Sequence, residues 1–315
     1  MDDEGGFSHE YQTEADRDIK PYYSKKNQLI KFGFLFNSIS GILYFRKFLN
    51  RLHCLKKLVI IPTYNEIENI QIILRAIFSL DKDFHVLVVD DNSPDGTAGA
   101  VKTLIEVYDG KLFIEERIGK LGLGTAYIYG FKWAIEKEYD YIFEMDADFS
   151  HKPQDLERLY LACKEGGYDV SIGSRYVKGG KIINWPLDRH IYSKGGALYT
   201  RLITFMPVKD PTAGFICYKR KVLETINFDE IKFIGYAFQI EMKFAAWKLG
   251  FKIKEIPIEF EDRKIGTSKM SGRILKEGVL GVLVIQFKSL FRNYRRRMNG
   301  KVSSHKEYSR SVKQV

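Results

Sequence analysis

From residue 57 onward the chain alternates short apolar runs with stretches of helical spacing. Leu58-Val-Ile-Ile61 is a brief apolar run stopped by Pro62, which reads as a buried strand. Ile67, Ile70, Ile73, Leu74 and Ile77 recur at helical spacing over 66–80. His85-Val-Leu-Val-Val89 predicts a second strand, ending in Asp90-Asp91 and the turn-rich Asn92-Ser-Pro-Asp-Gly96. Thr97 is placed to cap the next helix, with Val101, Leu104, Ile105 and Tyr108 on its apolar face. A strand near 111–115, a helix over 125–136 and the strand Tyr141-Ile-Phe-Glu-Met145 follow, the last ending at Asp146. Val170 and Ile172 lead to Gly173-Ser-Arg175, and Ile253 to Phe260 is again strand-like. Strands alternating with helices predict an α/β fold with a Rossmann-like, mostly parallel sheet flanked by helices. No repeat is visible, and no linker divides 57–265.

In such sheets ligands bind at the carboxyl ends of strands. Here those ends carry Pro62-Thr-Tyr-Asn-Glu66, Asp90-Asp91 and Asp146-Ala-Asp148. A single acidic residue there is often only a turn former or cap; three neighbouring acidic ends exceed what folding requires. In an extended segment Asp146 and Asp148 face one side, where two carboxylates repel unless a cation lies between them. Oxygen ligands favour Mg²⁺, Mn²⁺ or Ca²⁺ over zinc, and Mg²⁺ completes its shell with phosphate oxygens. The pattern therefore suits a diphosphate leaving group neutralised by a metal. His151 extends the cluster as a metal ligand or, on the stronger reading, begins the next helix, with Pro153 in its first turn. Gly122-Leu-Gly-Thr-Ala126 lacks the third glycine of a dinucleotide fingerprint and reads as a turn into a helix. The loop Asp262-Arg-Lys-Ile-Gly-Thr-Ser-Lys-Met270 is either phosphate-binding or an ordinary solvated basic loop.

Charge changes the picture at the ends of the chain. The net +10 is unevenly spread. Residues 1–24 carry two basic and seven acidic side chains, residues 25–57 eight basic and none acidic, and residues 288–315 nine basic and one acidic. The centre is nearly neutral. Such flanks suit an anionic membrane surface or nucleic acid, or are solvated tails. The longest uncharged stretch near the N-terminus, Phe32–Phe45, has 14 residues, too few to span a bilayer. Its aromatics bordered by Lys31 and Arg46 fit an interfacial helix or a core-packed one. The uncharged run 278–287 likewise suits an amphipathic interfacial helix. Cys54, Cys163 and Cys217 have neither zinc nor disulfide-framework spacing.

The resulting organisation is an acidic disordered head, 1–24; a basic amphipathic segment, 25–55; a catalytic domain, 56–272; amphipathic interfacial helices, 273–297; and a basic disordered tail, 298–315.

Taken together these motifs resemble those of dolichol-phosphate (polyprenol-phosphate) mannose synthases, inverting glycosyltransferases of family 2 with the GT-A fold. The resemblance rests on Pro62–Glu66, Val89–Thr97, Leu121–Tyr127, Met145–His151, Gly173–Tyr176, Asp210–Phe215, Phe238–Glu241 and Asp262–Arg263 through Ser268–Lys269. It covers residues 56–275. It implies mannose transfer from GDP-mannose to a polyprenyl (dolichyl) phosphate, with another sugar nucleotide, UDP-glucose or UDP-N-acetylhexosamine, and a lipid-phosphate or polysaccharide acceptor as the alternative. It implies that Pro62, Tyr64 and Glu66 hold the nucleotide, with Val88 and Asp90 on the base and ribose side. Asp146 and Asp148 would bind Mg²⁺ or Mn²⁺, with the Ala147 backbone against the sugar nucleotide. Ser150 would be the third metal position, where many members have glutamine. Arg175, Arg263 and Lys269 would bind donor diphosphate and acceptor phosphate; Asp146, Asp148 and Arg263 are the catalytic set. The resemblance further implies a peripheral enzyme on the cytoplasmic, inner face of a membrane, without a nucleic-acid partner.

Overall fold

A computed structural model describes residues 55–235, 237–262 and 272–296. The expectations for the acidic head, most of the basic N-terminal segment, Cys54, Arg263, Lys269 and the tail from residue 297 lie outside these residues.

The elements alternate as the apolar pattern predicts. They are β1 (Lys57–Thr63), α1 (Ile67–Phe78), β2 (Phe84–Asp90), α2 (Thr97–Ile105), β3 (Leu112–Glu116), α3 (Leu123–Glu136), β4 (Tyr141–Glu144), α4 (Asp155–Lys164), β5 (Val170–Ser174), β6 (Lys181–Ile183), α5 (Leu187–Thr204), β7 (Ile216–Lys219), α6 (Arg220–Thr225), α7 (Ala237–Lys248), β8 (Ile253–Pro257), β9 (Glu259–Glu261) and α8 (Gly272–Lys288). Seven strands form one sheet in the order β3-β2-β1-β4-β7-β5-β8. All are parallel except β7, which runs against both β4 and β5. β6 and β9 pair in a small second sheet.

Alternation along the strands sorts the core into two layers. Leu58, Ile60, Leu87 and Val89 face α3 and α7. Val59, Ile61, Val86 and Val88 face α1, α2 and α4. Ile70, Ile73, Leu74 and Ile77 of α1 are fully buried; removing each from water contributes about 1.5–3 kcal/mol. α3 lies close on β1: a Cβ at Gly130 would stand 2.7 Å from Ile60 Cγ2, so only glycine fits without a shift.

Four expectations need correction. Pro62 does not stop β1, which pairs with β2 as far as Thr63↔Asp90. β4 pairs with β1 only to Ile60↔Glu144, so the missing Pro62 N–H faces a side with no strand. Thr97 does not cap its helix; its hydroxyl receives the Glu66 N–H (3.0 Å), and Asp95 takes the Thr97 N–H (3.0 Å) instead. His151 does not begin a helix: α4 starts at Asp155, and His151 is buried against Phe215. The run Ile253–Phe260 is two strands, because Ile258 gives its N–H to Ser174 and its carbonyl to Lys181, carrying the chain from one sheet to the other.

The C-terminal part of the described chain closes onto α7. Glu241, fully buried, accepts the Lys232 and Phe233 N–H groups (2.8 and 3.0 Å) and the Arg292 guanidinium (2.7 Å). Tyr294 is buried, and Arg295 bridges Ile226. Arg292 is therefore not among the cations free to meet a membrane. Glu241→Ala takes the nearer carboxylate from that buried guanidinium, leaving Glu230 at 3.9 Å, and strands the Lys232 and Phe233 N–H groups, which together cost about 3–5 kcal/mol. Thermal unfolding is expected to show Tm lowered by about 10 °C, and an unchanged Tm would refute the ion pair.

Candidate active site

The parallel strands deliver their carboxyl ends to one edge of the sheet. β1 leads to Thr63–Glu66, β2 to Asp90, β4 to Asp146–Asp148 and β5 to Arg175. β7 runs the other way, so the Asp210–Phe215 segment before it reaches the same edge. β2 and β3 lie on one side of β1 and β4 on the other. The strand order reverses there, and open α/β sheets bind ligands at such a switch point.

On one side of this crevice, side chains clamp the first two strand ends together. Buried Asp90 accepts Thr63 Oγ1 (2.8 Å), Ser93 Oγ (2.6 Å) and the Ser93 N–H (2.8 Å). The Asn65 N–H donates to Ser93 Oγ (3.0 Å), and the Ile67 N–H donates to Asp95 (3.1 Å). Asn65 and Asn92 turn these loops with φ of 58° and 57°, a conformation asparagine tolerates. Asp90 is thus a rigid corner whose oxygens are already engaged. The Val88 side chain lies in the core, so only its main chain can meet a nucleotide. Tyr64 is half-buried, with the Lys120 ammonium 4.5 Å from its ring centre. Arg117 joins Asp91 (Nε, 2.6 Å) to Thr125 (2.8 Å), tying the end of β2 to the start of α3.

On the other side, the strand ends at Glu144 and the Asp146–Asp148 segment bends. The extended-strand argument for a shared face does not apply; the loop places these carboxylates. Ser150 donates its hydroxyl and its N–H (3.1 Å) to Asp148 Oδ1, and Phe149 adopts φ 60°. A bulky residue held there stores about 1–3 kcal/mol of strain, a feature that clusters at functional sites. Ser150 orients Asp148, and that hydroxyl is occupied. Asp146 receives the Tyr127 hydroxyl at 3.4 Å. A Cβ at Gly214 would come within 3.7 Å of Asp146 Oδ2, so a bare backbone faces this carboxylate. Among the described residues no group of three or more His, Cys, Asp and Glu side chains is placed to hold a metal. Two carboxylates without nitrogen or sulfur donors fit a hard cation whose remaining ligands are water and substrate oxygens. His151 joins no such group: it is buried and stacks on Phe215 with ring centres 4.9 Å apart, and burial pulls its imidazole down to about 4.

Beneath Asp146 lies a buried polar chain that the residue pattern did not reveal. Gln239 donates to Glu144, and Lys243 donates to the Ala213 carbonyl (2.6 Å) and the Gln239 carbonyl (3.0 Å). Burial raises the Glu144 carboxyl to about 7 and lowers Lys243 to about 8. α7 thereby holds both the end of β4 and the loop carrying Gly214. The Phe238–Glu241 and Asp210–Phe215 motifs were the only sequence signal for this chain.

Arg175 is paired. Its guanidinium grips Asp210 (2.8 and 2.6 Å) and reaches Thr212 (2.9 Å), and its N–H also goes to Asp210 (2.9 Å). Burial alone would raise the Asp210 carboxyl, but Arg175 holds it below the usual range. Outside the crevice, α5 exposes Leu187, Ile191, Leu198 and Leu202, and α8 exposes Val279, Leu280, Leu283 and Phe287. The two helices touch, with Tyr199 Oη donating to the Val279 carbonyl (3.0 Å). Among the described residues no helix is long and apolar enough to cross a membrane.

Pro62, Tyr64, Glu66, Asp90, Asp146, Ala147, Asp148 and Arg175 thus all stand along this edge. Residues 58–226 match the profile described as "Glycosyl transferase family 2". The chain belongs to this family. The transferase is 42% identical over 227 residues to the polyprenol monophosphomannose synthase of Mycolicibacterium smegmatis, covering 72% of this chain and 85% of that protein. It is 44% identical over 228 residues to the undecaprenyl-phosphate mannosyltransferase of Micrococcus luteus, covering 72% and 93%. In fold it matches the glucosyl-3-phosphoglycerate synthase of Mycobacterium tuberculosis, solved with Mn²⁺, UDP and glucosyl-3-phosphoglycerate. That match has a TM-score of 0.55 at 16% identity and covers 74% of this chain and 80% of the other. The architecture is that of GT-A glycosyltransferases.

Proposed function

We propose that the transferase moves mannose from GDP-mannose to the phosphate of a polyprenyl phosphate, with inversion, giving a β-linked mannosyl phospholipid. The observation that carries this is the 42–44% identity to two proteins named for that chemistry, extending over 85–93% of their length. Pro62, Tyr64, Glu66, Asp90 and the Val88 main chain hold the nucleotide. Asp146 and Asp148 hold Mg²⁺ or Mn²⁺, which when bound offsets the charge that builds on the leaving diphosphate. The fold relative solved with Mn²⁺ is in keeping with this assignment. Arg175, Arg263 and Lys269 supply the cations for the donor diphosphate and the acceptor phosphate.

The acceptor nucleophile is a phosphate oxygen, already ionised near neutral pH because its second pKa is about 6. No strong general base is needed. What the protein contributes is position and a preorganised field: Asp90 fixes the nucleotide corner, and Ser150 and Tyr127 fix the two carboxylates. The lipid acceptor places the enzyme at a bilayer. The cationic flanks and the apolar faces of α5 and α8 suit peripheral attachment at the cytoplasmic face.

A panel of sugar nucleotides offered with a polyprenyl phosphate, with and without Mn²⁺, tests the reading. Lipid-linked mannose formed only from GDP-mannose and lost on chelation is the expected result. Transfer from a UDP-sugar instead would overturn the donor assignment, and undiminished transfer after chelation would overturn the metal's role.

A further inference from the structure

The loop after β3, 117–122, is held at both ends against the tip of β2. The Arg117 N–H goes to the Asp90 carbonyl (2.7 Å), and the buried Arg117 guanidinium grips Asp91 (Nε, 2.6 Å). The Leu121 N–H returns to the other Asp91 oxygen (3.2 Å). Lys120 lies between these anchors, so its main chain is fixed beside the corner that Asp90 and Thr63 form. Its side chain is exposed and has solvent within reach. The ammonium nevertheless stands 4.5 Å from the centre of the Tyr64 ring. Among the described residues no ion pair holds Lys120.

That arrangement suits the arrival of a planar base. A cation over an exposed aromatic ring is weakly held, and stacking of a base on such a ring is the stronger contact. A base that takes this face of Tyr64 therefore displaces the ammonium, which the anchored loop keeps close by, to the edge of the base. An ammonium has three donors and no acceptor. It matches two adjacent acceptors, the O6 and N7 of a 6-oxopurine. Adenine presents an amino group beside N7 instead, donor against donor. Uracil has a single carbonyl oxygen on the corresponding edge. A polar group left facing the wrong partner is what gives a site its power to reject.

We propose that Lys120 selects the base of the donor: without ligand its ammonium rests on Tyr64, and in the complex it donates to O6 and N7 of a 6-oxopurine stacked on that ring. The inference rests on the reading that Tyr64 holds the nucleotide of GDP-mannose, and adds the residue that tells this base from others.

The test reads binding rather than turnover. Calorimetry on the full chain with Mn²⁺ compares GDP, inosine diphosphate and ADP. Inosine diphosphate keeps O6 and N7 but lacks the 2-amino group. The wild type is expected to bind GDP and inosine diphosphate at least about tenfold more tightly than ADP. Lys120→Met should weaken both by about tenfold and leave ADP within about twofold. Lys120→Arg, again a donor-only cation, should restore most of the preference. Lys120 is exposed, so neither substitution threatens the fold. An equal loss for all three nucleotides in Lys120→Met would mean that the ammonium serves the charge of the diphosphate, and would overturn base selection. A loss for GDP without one for inosine diphosphate would move the recognition to the 2-amino group and overturn it as well. Failure of the wild type to form lipid-linked mannose from GDP-mannose would sink the proposed activity, while the ratios between nucleotides would still report on Lys120.

Discussion

Asp148→Asn is expected to abolish sugar transfer and to leave the fold intact. The amide keeps the shape of the carboxylate, and its oxygen can still accept the Ser150 N–H and hydroxyl that now hold Asp148 Oδ1. What is lost is the negative charge in a position only 8% exposed, on which the proposed divalent cation would depend. A loss of more than tenfold, over about 1.4 kcal/mol in the barrier, is expected in single-turnover transfer with GDP-mannose and polyprenyl phosphate. Mn²⁺ titration should show weakened metal dependence, and the thermal midpoint should stay within a few degrees of wild type. Retention of more than a tenth of the activity would remove Asp148 as the principal ligand. Ser150→Ala is the informative companion. Because that hydroxyl orients Asp148 and is itself engaged, the variant should lower transfer only modestly.

The parallel half of the fold was legible because its strands are continuous apolar runs with acidic ends. β1, β2 and β4, with α1 and α2 beside them, are short buried segments whose alternation assigns each residue to one layer. That legibility fades after β5. β7 is four residues long, has one buried neighbour on each side and runs antiparallel, so nothing in its pattern announces direction. α5 was missed for a different reason. Leu187, Ile191, Leu198 and Leu202 face outward, so the apolar stripe that signals a core-packed helix is turned to the surface.

The site divides in the same way. Pro62–Glu66, Asp90 and Asp146–Asp148 could be placed from sequence because strand ends converge in any such sheet. The residues that stiffen them could not. Arg117 on Asp91, Lys243 on the Ala213 carbonyl and Gln239 on Glu144 are joined across separations of 26, 30 and 95 residues. A pattern read along the chain carries no information about such pairs. Arg175 is the instructive middle case. A cation at the end of β5 was expected to face phosphate, and the cation is there, but its guanidinium is held by a carboxylate 35 residues away.

That pairing yields the second large effect. Asp210 is fully buried and accepts three hydrogen bonds from Arg175 while receiving its own N–H restraint from Glu255, which takes the Asp210 N–H at 2.9 Å. Asp210→Ala strips the partner from a guanidinium whose side chain is 8% exposed. Breaking a buried pair from one side costs about 3–5 kcal/mol, because the remaining charge is left uncompensated. The damage does not stop at stability. Asp210 opens the segment that runs through Thr212 and Ala213 to Gly214, the residue facing Asp146. With Arg175 released, that segment loses its side-chain anchor at the end of β5 and is held by the Glu255 bond to the residue-210 N–H and the Lys243 bond to the Ala213 carbonyl. Transfer should therefore fall by at least tenfold even at temperatures where the variant remains folded. Asp210→Asn separates the two contributions: its amide oxygen keeps one acceptor for Arg175, so the loop should hold its place better while the charge is lost. Denaturation curves and kcat/KM on the two variants distinguish the outcomes. If Asp210→Ala unfolds at the wild-type temperature and transfers mannose at the wild-type rate, neither the ion pair nor the loop it anchors supports the site.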